Sequence, residues 1–139
     1  MDGVEVLLLA VVVAVLMAVA MRWKNGRFAA SSDADEAERL GPDDLGTPLG
    51  ERATLVQFSS AFCAPCRATR QVLGQVTELV PGVSTVEIDA ESELDLVRRV
   101  GVLRTPTVLV LDATGRIVER ASGAPTRDQV LVALDRALA

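Results

Sequence analysis

From Val4 to Met21 the chain is a solid apolar block, with one charge, Glu5, at its outer edge. A stretch of roughly 18 to 20 such residues is long enough to cross the hydrocarbon core of a bilayer as a helix. A helix packed on a soluble core needs only one apolar stripe, so a block apolar on every side stands apart from the globular fold. The competing reading is a cleaved signal peptide, and Ala18-Val19-Ala20 offers small residues suited to a cut. A signal peptide starts with basic residues, however, whereas Asp2 and Glu5 stand at the start of this block and Arg22, Lys24 and Arg27 follow it at once. The flanks predict a retained single-pass anchor in the cell membrane over residues 1–24, with Trp23 at the interface. Basic residues beside a span tend to stay cytoplasmic, which predicts a domain facing the cytoplasm; the extracytoplasmic side is the alternative.

The remaining length is enough for one domain and not for two, since the whole chain has 139 residues. Fourteen basic against nineteen acidic residues leave a formal charge of -5, no field for a phosphate backbone, so nucleic acid is excluded as a partner. Histidine is absent, which removes the commonest metal ligand and the usual base of nucleophilic triads. Two cysteines are then the conspicuous reactive groups.

Residues 25–52 read as a linker. They hold Ser31-Ser32, an acidic run from Asp33 to Glu38, several Gly and Pro residues and few large apolar ones, with a short helical turn around Pro42 to Leu45 as an option. The globular domain is expected over residues 53–139. Thr54 to Phe58 is short, apolar and partly β-branched, the pattern of a buried strand. A helix should start near Cys63 and bury Val72, Val76, Leu79 and Val80 before Pro81-Gly82 ends it. Val83 to Ile88 predicts a second strand, Ser92 to Arg99 a helix presenting Leu94 and Val97, and Thr107 to Leu111 a third strand. Asp112-Ala113-Thr114-Gly115 marks a hairpin into a strand from Arg116 to Arg120. Thr126 and Gln129 have capping-box spacing before a last helix carrying Val130, Leu134 and Leu138. The fold class is α/β, a mixed central sheet of four strands or slightly more flanked by helices and preceded by one transmembrane helix.

Cys63-Ala64-Pro65-Cys66 lies between a predicted strand and a predicted helix, the context of a redox-active pair. Two intervening residues let the thiols meet across one helical turn and close with little backbone movement. At a helix start, free N–H groups and the dipole stabilise an anion, so Cys63 is the expected attacking thiolate. Cys66, one turn in and more sheltered, would attack the mixed disulfide and release the reduced partner. Arg67 and Arg70 add positive charge nearby, although surface arginines on a helix more often serve solubility. Zinc is the chemical competitor, but two thiolates fill half a tetrahedral site, which only a dimer would complete. A purely structural disulfide would close so small a loop that it stabilises little.

With Phe62-Cys63-Ala64-Pro65-Cys66-Arg67 and Thr105-Pro106-Thr107 in order, the chain from about Thr54 to Ala139 resembles thioredoxin, in the form of a membrane-anchored bacterial protein with a Cys-Ala-Pro-Cys motif. The resemblance implies the thioredoxin fold and a protein-disulfide oxidoreductase with Cys63 and Cys66 as its redox-active disulfide. It also implies a substrate surface of Phe62, Ala64, Pro65, Thr105 and Pro106, with Pro106 the cis proline facing the cysteines. A plain strand-start proline is the other reading of Pro106. Gly123 looks like the family's glycine at the end of the last strand, or else a turn glycine. Departures from the family pattern are Gln57 where most thioredoxins bury an aspartate that assists proton transfer at the second cysteine, Phe62 and Ser59 at two tryptophan positions, and Thr85 at a lysine position. The expected partners are proteins with disulfides or dithiols and an electron donor, met by a monomer with no organic cofactor and no metal. The alternatives are an extracytoplasmic disulfide-transfer protein and a thioredoxin-fold binding module without turnover.

Overall fold

The computed structural model describes residues 2–30 and 38–139. The Ser31-Ser32 pair and most of the acidic run of the expected linker lie outside the described residues. Helix α1, Gly3–Lys24, is apolar around its whole girth and buries no residue against the domain. Its 22 residues span about 33 Å at the α-helical rise, long enough to cross a membrane.

Five strands form one sheet in the order β1-β5-β4-β2-β3. They are β1 (Phe28–Ala30), β2 (Ala53–Ser59), β3 (Val83–Asp89), β4 (Thr107–Asp112) and β5 (Ile117–Ser122). Strand β3 runs parallel to β2, while β4 and β5 are antiparallel to their neighbours, which is the mixed sheet expected. Every residue of β2 is buried, as suits an interior strand of a sheet covered on both faces. The β4–β5 turn is held by Asp112, whose Oδ1 accepts the backbone N–H groups of Thr114 and Arg116.

On one face, α3 (Ala64–Leu79) and α5 (Arg127–Leu138) cover a core of Ala53, Leu55, Leu73, Val108, Val110 and Val130. The capping box of α5 is formed in both directions: Gln129 N–H donates to Thr126 Oγ1 and Thr126 N–H to Gln129 Oε1. On the other face, α2 (Pro42–Leu45) and α4 (Leu94–Val100) cover Val56, Phe58, Ile88, Leu109 and Leu111.

Two helix faces differ from their sequence reading. Helix α3 buries Cys66, Thr69, Leu73 and Val76, a stripe that continues to half-buried Val80 and leaves Leu79 exposed. The steps of three and four residues along that stripe lead to position 80, so Leu79 points away from the sheet. In α4, Leu96 and Val100 are buried and Leu94 is exposed, because a seven-residue helix can set only one pair of positions four apart on the sheet.

Residues 25–52 depart from a solvated spacer at several described positions, where they supply a strand and buried residues. Phe28–Ala30 pairs antiparallel with β5, from Phe28 opposite Ala121 to Ala30 opposite Glu119. Leu40 is fully buried, and its N–H donates to the Gly115 carbonyl. Leu45 is buried in α2, where Pro42 is accommodated because the first helical N–H needs no partner. Arg99 of α4 grips the segment through Glu38 at 2.7 Å and Asp44 at 2.9 Å. Isolated leucines among glycines and prolines carry no periodic signal, yet each finds an apolar surface once the sheet exists.

Candidate active site

The end of β2 delivers the chain into the tight loop Ser60-Ala61-Phe62 and then into α3. Phe62 has φ +58°, a left-handed conformation that costs a non-glycine residue about 1 to 2 kcal/mol, and its side chain stands wholly in solvent. Cys63 is the N-cap of α3, extended where the helix proper has not begun. Its Sγ accepts the backbone N–H of Cys66 at 3.2 Å, one of the donors that a helix start leaves free. Pro65 occupies the first turn, where its missing N–H removes nothing.

Cys63 and Cys66 are joined as a disulfide with their Cα atoms 5.2 Å apart. The pair is asymmetric: Cys63 is half-buried, while Cys66 is 1% exposed. Ala64 and Pro65 are exposed beside them. The Thr105–Pro106 peptide bond is cis, Thr105 is half-buried and Pro106 buried. Pro65, Thr105, Pro106 and Gly123 line one cleft of about 240 Å³, so the cysteine loop and the proline turn, far apart in sequence, share a surface. Phe62 and Ala64, the other expected contact residues, are exposed and do not line it.

Gln57 lies beneath the pair, 1% exposed. Its Nε2 donates to Ser59 Oγ at 3.0 Å and to the Cys66 carbonyl at 2.8 Å. The amide thus holds the first turn of α3 from below and offers its proton-bearing end there, where a base would have to accept. Thr85 is exposed on the edge strand, in register with Leu55. Arg70 is engaged by Glu87 through two bonds of 2.7 and 2.9 Å, which spends its charge on β3 and not on the thiols. The guanidinium is held further above its usual pKa by that same carboxylate.

Several residues around the site carry no local sequence signal. Ser60 Oγ and Thr105 Oγ1 share a hydrogen bond of 2.8 Å that ties the two loops together. Buried Thr69 donates to the Pro65 carbonyl, bracing the first turn of α3. Gly123 has φ +99° and donates its N–H to the Pro106 carbonyl at 2.7 Å. A Cβ there would push the side-chain ends of Asn25 and Arg104 aside, and the positive φ strains any residue but glycine.

The family model Thioredoxin matches residues 47–136. Thioredoxin of Chlamydia muridarum is 26% identical over 92 residues, covering 66% of this chain and 89% of that protein. Thioredoxin of Alicyclobacillus acidocaldarius is 28% identical over 82 residues, covering 58% of this chain and 77% of that one. Among solved structures, a mutant thioredoxin from Halobacterium salinarum superposes with a TM-score of 0.59 at 21% identity, covering 64% of this chain and 77% of that chain. That last likeness speaks for the fold. The family match takes in every strand from β2 to β5 together with α3, α4 and nearly all of α5, and the cysteine pair falls inside it, so the chain belongs to the thioredoxin family and is a thiol–disulfide oxidoreductase.

Proposed function

We propose that the chain is a membrane-tethered oxidoreductase that reduces or exchanges disulfides in partner proteins, with Cys63 attacking and Cys66 resolving. The observation that carries this reading is the place of Cys63, an N-cap whose sulfur already accepts a helix N–H while remaining open to solvent. In the reduced protein the same donors and the helix dipole favour its thiolate. That thiolate attacks one sulfur of the partner's disulfide; a mixed disulfide forms and the partner's other sulfur leaves as a thiolate. Cys66, having lost its proton to water, attacks Cys63 Sγ. The Cys63–Cys66 bond closes and the partner departs with both sulfurs reduced. Two electrons have passed to the partner, and a dithiol donor returns them.

Phe62, Ala64, Pro65, Thr105 and Pro106 form the surface that meets the partner segment around its disulfide. Residues 1–24 anchor the chain, residues 25–52 connect the anchor to the domain and lend it β1, Leu40 and Leu45, and residues 53–139 do the chemistry as a monomer. The basic cluster Arg22, Lys24 and Arg27 favours the cytoplasmic side.

A binding module without turnover is the second reading, favoured by one observation: the buried amide of Gln57 stands where a carboxylate would assist Cys66. Reduction of insulin by the full-length protein in nanodiscs, with dithiothreitol as donor, separates the two. Turnover abolished by Cys63→Ser supports the oxidoreductase. Binding of unfolded insulin without turnover supports the module.

A further inference from the structure

We propose that the redox site works at the bilayer surface, on disulfides of proteins held in the same membrane and lying at headgroup level. This rests on the tethering reading above and deepens it by naming the substrate class.

The chain between the span and the site has almost no slack. Asn25 caps α1, its N–H donating to the Met21 carbonyl. The next residue, Gly26, already donates to the Ser122 carbonyl at 2.8 Å, and Phe28 is in register with Ala121 two residues later. Gly26 passes so close to Ala124 that a Cβ would overlap its carbonyl, so the junction is seated and cannot carry a larger residue. Ser122 to Ala124 is the stretch beside the cis proline, since Gly123 N–H bonds the Pro106 carbonyl. The membrane helix is therefore fastened to the strand end that borders the redox cleft.

The side chains agree. Asn25 and Arg104 line the cleft of Pro65, Thr105 and Pro106, and both also line a second cleft of about 620 Å³ with Met21, Arg22 and Leu103. One wall of the redox cleft is thus built from the exit of the span. Leu103 is 95% exposed and lines that cleft together with Met21, which places an apolar side chain at the height where the span would leave the lipid. Arg22, Lys24 and Arg104 gather around it, the charge that anionic headgroups attract. A site held this close to the span reaches disulfides a few residues outside a membrane. It does not reach those carried far above the surface on a rigid domain.

The test uses full-length protein in nanodiscs that also hold a single-span peptide with a disulfide. In one peptide the disulfide lies a few residues beyond the span; in the other it lies at the far end of a rigid helical spacer. The proximal disulfide should be reduced roughly tenfold faster or more, because the fixed geometry sets the effective concentration. A long Gly/Ser insertion between Lys24 and Asn25 gives up the Asn25 cap on Met21 but keeps Gly26 on the Ser122 carbonyl, so it frees the domain from the span, and it should erase the preference without changing the rate on insulin. In Trp23→Phe carrying Leu103→Trp, brominated lipids should quench the single indole. Equal rates on the two peptides, a preference that survives the insertion, or an unquenched indole would each overturn the inference and leave the oxidoreductase intact. Failure to reduce either peptide or insulin would instead remove the reading on which it rests.

Discussion

Ser60 Oγ and Thr105 Oγ1 lie 2.8 Å apart and share a hydrogen bond that joins the loop before the cysteines to the turn at the cis proline. Each hydroxyl is the other's partner in a partly buried place, and a typical bond of this kind is worth about 0.5 to 1.5 kcal/mol. Ser60→Ala and Thr105→Val should each lower stability by about that amount, and the double variant by less than their sum. Urea unfolding of the four proteins measures the coupling. Additive losses would mean that the two loops are positioned independently.

Cys63 should alkylate before Cys66 in the reduced protein. The first sulfur sits half-open at the helix start, whereas the second is 1% exposed on the buried side of α3. Iodoacetamide labelling followed by peptide mass mapping across neutral pH reads the order directly. Labelling of Cys66 first would reverse the assigned roles.

Removing the resolving thiol should leave partners attached. Cys66→Ser keeps the N-cap sulfur and its access, yet nothing remains to attack the mixed disulfide. Membranes from cells expressing this variant should yield adducts on Cys63 that dithiothreitol releases, and the Cys63→Ser variant should yield none. Equal recovery from both variants would mean that Cys66 captures partners as readily as Cys63 and would undo the assigned roles.

Acid should loosen the contact between α2 and α4. The backbone N–H of Gly41 holds the Asp44 carboxyl below its usual pKa; burial opposes this to a lesser degree, and Arg99 adds to the lowering. A carboxylate whose folded pKa is depressed contributes stability above its unfolded value, about 4, and loses it as pH falls through the folded value. Asp44→Asn should therefore be less stable than the parent from neutral pH down to about 4, with the gap closing below that. Thermal melts over this range check it; a gap independent of pH would assign the effect to packing.

Much of the fold was legible because the informative residues signal locally. Alternating or continuous apolar runs marked β2 to β5, Pro81-Gly82 closed α3, and Thr126 with Gln129 opened α5. The cysteine spacing at a strand–helix junction marked the site, and likeness to the family added Pro106 and Gly123, which no spacing connects to Cys63. Strand β1 was illegible for a physical reason: Phe28-Ala29-Ala30 has little strand character, and it becomes a strand by pairing with β5. Leu40 and Leu45 are fixed by partners remote in sequence, as is the Ser60–Thr105 bond. Arg70 shows the limit in the other direction, since a charge near the cysteines in sequence is committed to Glu87 in space.

Gln57 offers the sharpest test of how the pair turns over. Its Nε2 donates to the Cys66 carbonyl and to Ser59 Oγ, so the amide fixes the first turn of α3 but takes no proton from the Cys66 thiol. Resolution must then wait for Cys66 to ionise into water, which should make it slow and steeply dependent on pH below the thiol pKa. Gln57→Asp places a carboxyl on the same strand position. Burial there disfavours the charged form and raises its pKa towards neutrality, the range in which a base is most effective. The substitution also gives up both amide bonds, a loss of about 1 to 3 kcal/mol where buried partners are left unsatisfied. Faster resolution with lower stability is the expected combination, whereas Gln57→Leu should show the lower stability alone. Stopped-flow decay of a mixed disulfide on Cys63, followed from about pH 6 to 9 beside urea unfolding, distinguishes these outcomes. Identical decay rates and pH profiles in all three proteins would mean that position 57 serves only to hold the helix.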